Sequence, residues 1–145
     1  MAVTLFDKQL VVARLKSQVT ALARIAGAAE YQAAAVDLRQ VPAAFVIEAS
    51  NLAGPSRTGT LVVSQNNLVG FGVVLAQTNR RDPIGEAASD ALKELREAVM
   101  SALLGWQPHA DYDPCEYARG RLLAMNDYTI WWQDDYTTSS LIRSV

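Results

Sequence analysis

The sequence predicts an α+β domain, a mostly antiparallel sheet with two main helices packed on one face, and three observations carry that prediction. Phe6, Leu10, Leu15, Val19, Leu22 and Ile25 recur at helical spacing. The stretch "DPIGEAASDALKELREAVMSALLGW" repeats that periodicity, and β-branched apolar runs with period two fill much of the remainder. Helices and strands come in blocks rather than as regular β-α pairs, which is the pattern of an α+β chain.

In the first segment Asp7, Lys8, Lys16 and Gln18 fall between the apolar positions, so an amphipathic helix is predicted to end near Gly27. The alanine-rich "AAEYQAAAVDL" has high helix propensity but little large apolar surface, so a second, short helix is predicted. "VPAAFVIEA" is apolar on both faces around Phe45, Val46 and Ile47 and reads as a covered strand. Ser50 to Gly59 is loop by composition. "TLVVSQNNLVGFGVVLAQTN" reads as two strands turning at Asn66-Asn67, and in the second of them Gly70 and Gly72 share a face with Val74 and Ala76. Paired glycines there imply the close approach of another backbone.

The long helix starts with Asp82 as N-cap and Pro83 at its first position. Ala88, Leu92, Leu95, Val99, Ala102 and Leu103 form its apolar stripe. Gly105 stands where a left-handed terminating residue belongs, Trp106 can fold back on Met100, and Pro108 forbids resumption. The tail supplies "CEYARG", "RLLAM", a turn at Asn126-Asp127, and "YTIWWQ" before a break at Asp134-Asp135. In the last strand Trp132 is a core residue and Trp131 points the other way. The expected order is thus α, α, β, β, β, α, β, β, β.

With 145 residues, 13 Lys and Arg against 15 Asp and Glu, and a net charge of −2, the chain reads as one domain, 1–145. Such a domain buries roughly 70% of its unfolded surface and needs neither metal nor disulfide to form a core. The lone Cys115 reads as a small buried hydrophobe in a reducing compartment. Charges interrupt the apolar N-terminus, so no signal peptide is expected, and no run is long enough for a membrane span.

Chemistry-bearing patterns are scarce. The single histidine, His109, lies in a polar loop with no Ser or Cys before Cys115, which gives no nucleophile–base pair. His109, Asp111 and Asp113 alternate, yet one His and two Asp in a loop are a poor metal set. "GPSRTGT" has the glycine spacing of a phosphate loop but lacks the lysine and leads into a strand. Arg80-Arg81 is the only adjacent basic pair, far short of a nucleic-acid footprint. Asp134 and Asp135 are consecutive and project apart, so they share no proton. These readings lead to no enzyme, no cofactor and no metal.

At "SALLGWQPHADYDPCEYARGRLLAMNDYTIWWQDDYTT" the chain resembles the tail terminator, or tail-completion, proteins of tailed bacteriophages, in particular the Mu-like minor tail protein group. The matching pieces also include the N-terminal helix, "PAAFVIEA", "GFGVVLAQTN" and the long helix with its Gly-Trp-x-Pro stop, so the resemblance spans most of the chain. It implies a structural virion protein, made in the host cytoplasm, whose copies form a hexameric ring in the tail-neck region. The implied partners are the tail tube protein and a head-side connector or head-completion protein. DNA passes through such a ring without sequence-specific binding, and no membrane is involved. A small ligand-binding or regulatory α+β domain is the alternative, with one deep apolar pocket as its mark.

Within that reading the surface expected to meet another subunit or the tail comprises Gly70, Gly72, Trp131, Arg57, Arg80 and Arg81. Gly70, Gly72 and Trp131 lie on the sheet face that helices on one side leave uncovered, unless the alanine-rich helix covers it. The loop from Ala49 to Gly59 is longer than a hairpin needs and carries Arg57. Between His109 and Tyr136 six acidic residues face two basic ones, and Asp111, Asp113, Asp134 and Asp135 are the expected lining of the lumen.

Overall fold

The chain opens with α1 (Lys8–Gln18), capped by Asp7, whose side chain accepts a hydrogen bond from the Gln9 amide at 2.9 Å. Then come β1 (Arg24–Ala26), α2 (Ala28–Val36), β2 (Ala43–Ala53), β3 (Ser64–Thr78), α3 (Glu86–Leu103), β4 (Glu116–Asn126) and β5 (Thr129–Arg143). The computed structural model describes residues 3–36, 38, 40–78, 86–126 and 128–144. Five strands form one sheet in the order β1-β2-β3-β5-β4, antiparallel except for the short β1–β2 pair.

Because side chains alternate along a strand, the central part of this sheet has two apolar faces and buries both. On one, Val46, Phe71, Val73, Leu75, Ile130 and Tyr136 pack with Val11, Val12 and Leu15 of α1 and with Leu92, Leu95 and Val99 of α3. On the other, Phe45, Val74, Ala76 and Trp131 pack with Ala34 of α2. The alanines of α2 have little bulk, so large aromatic rings fill the gap: Tyr31 and Trp131 lie 5.9 Å apart and Phe45 and Trp131 6.4 Å apart.

The end of α3 is tied on three sides. Gly105 takes φ 77°, and Trp106 donates back to the Leu103 carbonyl at 3.1 Å. Gly105 and Trp106 also exchange hydrogen bonds with Cys115, each 2.9 Å long, which staples the helix stop to the segment that enters β4. Arg14 of α1 donates through Nε to the Ala102 carbonyl at 2.9 Å, and its guanidinium lies 5.6 Å from the Trp106 ring, placing a cation at the negative end of α3.

Several elements differ from their sequence-based expectation. The first helix stops at Gln18, and Ile25 belongs to a three-residue strand that pairs in parallel with β2. A short apolar run carries no period that separates helix from strand, and here a distant partner decides. Asn66 and Asn67 lie inside β3, paired with Leu141 and Ser140, so "TLVVSQNNLVGFGVVLAQTN" holds one strand instead of two. "CEYARG" and "RLLAM" merge into β4, with register shifts at Tyr117/Arg119 and Leu122/Ala124. No break occurs at Asp134-Asp135, which sit in the middle of β5. Asp82, Pro83 and Asp127 lie outside the described residues.

Candidate functional site: an exposed β arm

Beyond the Glu116–Thr137 pair, β2, β3 and β5 run on as a three-stranded arm with neither β1 nor β4 beside them. Leu52 pairs with Leu68, Leu68 with Ser139, and Asn66 with Leu141. Period two therefore puts Leu52, Leu68 and Leu141 on the same side of the sheet as α2, but past the helix. They are 69%, 42% and 65% exposed. The arm's other side is covered, with Asn67, Val69 and Thr138 buried.

The connection 54–63 closes the arm. Gly59 makes the turn with φ 68°, Thr58 Oγ1 donates to the Val62 carbonyl at 2.6 Å, and the Ser64 amide donates to Ser56 Oγ at 3.0 Å. Val63 and Ser144 exchange two bonds of 2.9 Å, tying the connection to the end of β5. Arg57 stands exposed on this braced loop beside a wholly exposed Leu61. No acidic residue occurs between Glu48 and Asp82 or after Asp135, so the arm's own strands and loop carry Arg57 and Arg143 and no carboxylate; the nearest one, Asp113, is bonded to Ser139.

Gly70, Gly72 and Trp131 serve the chain's own packing. A Cβ at Gly72 would meet Gln133 Nε2 at 2.8 Å and Asp135 Oδ1 at 2.9 Å, and one at Gly70 would collide with Ser50 Oγ. What approaches these glycines is thus side chains of the adjacent strands, where the sequence suggested another backbone. Trp131 is 5% exposed beneath Tyr31, so α2 covers the face expected to be free. Arg57 is left as the expected interface residue on open surface; Arg80 and Arg81 lie outside the described residues.

The acidic residues divide in the same way. Asp134 is fully buried and accepts hydrogen bonds from Arg96 Nε at 2.9 Å, Arg96 Nη2 at 3.1 Å, Trp132 Nε1 at 2.9 Å and the Tyr117 hydroxyl at 3.1 Å. Asp135, nearly buried, accepts from Arg119 Nε at 3.0 Å and Gln133 Nε2 at 2.7 Å. Neither presents a free charge at the surface, because each is paired with an arginine where it stands. Asp111 and Asp113 remain at the surface; Asp111 lies 3.6 Å from His109 Nδ1, and Asp113 accepts from the Ser139 hydroxyl.

Among the described residues no three His, Cys, Asp or Glu side chains gather as a metal set, and no helix is long and apolar enough to cross a membrane. Burial pushes the Cys115 thiol up to about 11, which leaves it protonated and unreactive at neutral pH.

The model of the phage tail terminator protein family matches residues 1–144. The chain belongs to that family. Tail terminators are a structural family of the virion tail and not an enzyme family, so a surface such as the arm, rather than a catalytic pocket, is the feature to explain. No curated protein matches. A solved structure, the virion of a native gene transfer agent (GTA) particle, contains a chain similar to this terminator at 14% identity over 92% of each chain, with a TM-score of 0.48.

Proposed function

We propose that copies of this chain assemble into a six-fold ring in the virion neck, which ends the tail tube on one side and meets the head-side connector on the other, with DNA passing through. The observation that carries this reading is the arm: a chain acting alone would leave Leu52, Leu68, Leu141 and Leu61 in water, whereas a ring subunit has neighbours to cover them. The loop that carries Arg57 reaches such a neighbour or the tail tube. Asp111 and Asp113 face the channel, where a negative wall lets the duplex slide instead of condensing its phosphates.

Mass measurement over a range of concentrations, combined with negative-stain imaging, tests the ring. The expected species has about six times the 15.8 kDa of one chain, and a monomer at every concentration overturns the reading. Assembled particles with Asp111→Lys and Asp113→Lys should eject DNA more slowly at low salt and recover as salt rises. Unchanged ejection would remove the lumen assignment and leave the ring standing.

A further inference from the structure

The arm and α3 present complementary surfaces on opposite sides of the sheet. The stripe Leu52, Leu68 and Leu141 continues by period two to Arg143 on the same side, with Arg57 on the closing loop. Neither arginine has an ion-pair partner among the described residues. On α3, Asp90, Glu94 and Glu97 follow at spacings of four and three, so they lie in one line away from the buried Leu92, Leu95 and Val99. Glu97 is 3.6 Å from Lys93, whereas Asp90 and Glu94 have no cation paired with them among the described residues. The small Ala98 and Ser101 are exposed beside this line and leave room for larger side chains from outside.

The stripe points away from the chain's own α3, so the two surfaces cannot meet within one copy. We propose that the arm of one copy docks on the acidic ridge of α3 in the next copy, the leucines lying over Ala98 and Ser101 while Arg57 and Arg143 meet Asp90 and Glu94. This rests on the ring reading and supplies its subunit contact. Two different patches on opposite sides make a head-to-tail contact, the kind that builds a ring when the rotation between copies closes and a filament when it does not, whereas a two-fold dimer uses one patch against itself. Three acidic groups of the 109–136 region are worse acceptors for the arm. Asp134 and Asp135 are consumed by Arg96 and Arg119, and Asp113 is bonded to Ser139 of its own arm. Apolar area supplies the adhesion, and the unpaired charges set orientation and partner choice.

A charge swap read by native mass spectrometry and sedimentation of the full chain tests the contact. All four charged positions are exposed, so each variant should unfold like wild type. Arg57→Glu with Arg143→Glu, or Asp90→Lys with Glu94→Lys, should each raise the concentration needed for assembly by about tenfold or more at low salt. Combining the four substitutions should restore assembly. Leu52→Ser with Leu68→Ser should weaken it at high salt as well, where charge is screened. A wild-type chain that never assembles overturns the ring and this contact together. A wild-type ring that tolerates either charge reversal, or a combined variant no better than the worse pair, overturns the contact alone. Should reversal on the arm leave the mass unchanged but alter the salt dependence of DNA ejection, the arm would belong to DNA and not to a neighbour.

Discussion

Arg96 and Asp134 form a forked ion pair, Nε to Oδ2 at 2.9 Å and Nη2 to Oδ1 at 3.1 Å, that joins α3 to the middle of β5. Its carboxylate is fully buried, and the guanidinium also lies 4.5 Å from the Trp132 ring. The hydrogen bond that Arg96 donates to Asp134, aided by the carboxylate's charge, raises the Arg96 pKa against the smaller opposing effect of burial. Removing Arg96 strands a carboxylate in the sheet–helix interface. Arg96→Ala should therefore cost about 3–5 kcal/mol in urea unfolding, and adding Asp134→Leu to it should return part of that loss. A loss under about 1 kcal/mol for Arg96→Ala, the size of a surface pair, would mean that the fork does not hold the helix.

Gly120 exists for the same cluster. It pairs with Asp134, and a Cβ there would stand 2.6 Å from the Tyr117 hydroxyl and 2.9 Å from Trp132 Nε1. Gly120→Ala should destabilise by about 1–3 kcal/mol through overpacking, with no backbone strain involved. Gly105→Ala makes the contrast, because Gly105 has φ 77° and an added methyl group would meet nothing within 4 Å, so its cost of about 1–2 kcal/mol comes from the left-handed backbone alone. Replacement by asparagine, which tolerates that conformation, separates them: it should rescue position 105 and worsen position 120.

How much of this is legible in the sequence depends on how local each signal is. α3 carries a long period and a Gly-Trp-x-Pro stop within a few residues, and its end at Leu103 and the positive φ of Gly105 follow from those residues alone. Trp131 and Trp132 are separable by alternation, and their rings do enter opposite cores. Asn66-Asn67 and Asp134-Asp135 mislead because polar pairs signal turns, whereas here strand pairing takes up the asparagines' backbone and arginines from α3 and β4 hold the aspartates' carboxylates. The arm is hidden by the same error, since a turn at Asn66 cuts β3 where the arm begins. Arg96 is visible only as one charge on an amphipathic helix; its partner lies 38 residues away, and no local spacing announces that pair.

Trp131 gives a third test, now of the fold and not of assembly. With Tyr31 at 5.9 Å and Phe45 at 6.4 Å, its ring fills the space between the sheet and α2. Trp131→Ala should cost about 3–5 kcal/mol and loosen α2, seen as faster amide exchange over Ala28–Val36. Leu68→Ala on the open arm should stay within about 0.5 kcal/mol. Equal losses at the two positions would show that the arm is packed in the isolated chain, contrary to its exposure.

Alkaline pH should unfold the protein earlier than its near-neutral charge suggests, because two buried acids, Cys115 and Tyr136, are held protonated. Burial lifts Cys115 from 9.0 to about 11, and burial, with Asp134 nearby, pushes Tyr136 well above its ordinary 10.0. In both cases the folded pKa exceeds the unfolded one, so the unfolded chain loses its proton first. Stability is then intact below pH 9 and falls as pH rises through 9 to 11, each group adding up to about 1.4 kcal/mol per pH unit across its own window. The buried Tyr136 hydroxyl has no hydrogen-bond partner among the described residues, so Tyr136→Phe removes a titrating group without breaking a bond. That variant should match or exceed wild type at pH 7 and lose less between pH 10 and 11. Urea midpoints measured at several pH values check both statements. A wild-type midpoint that stays flat to pH 11 would show that neither group is shielded from water as the fold describes, and a Tyr136→Phe curve parallel to wild type would show it for Tyr136.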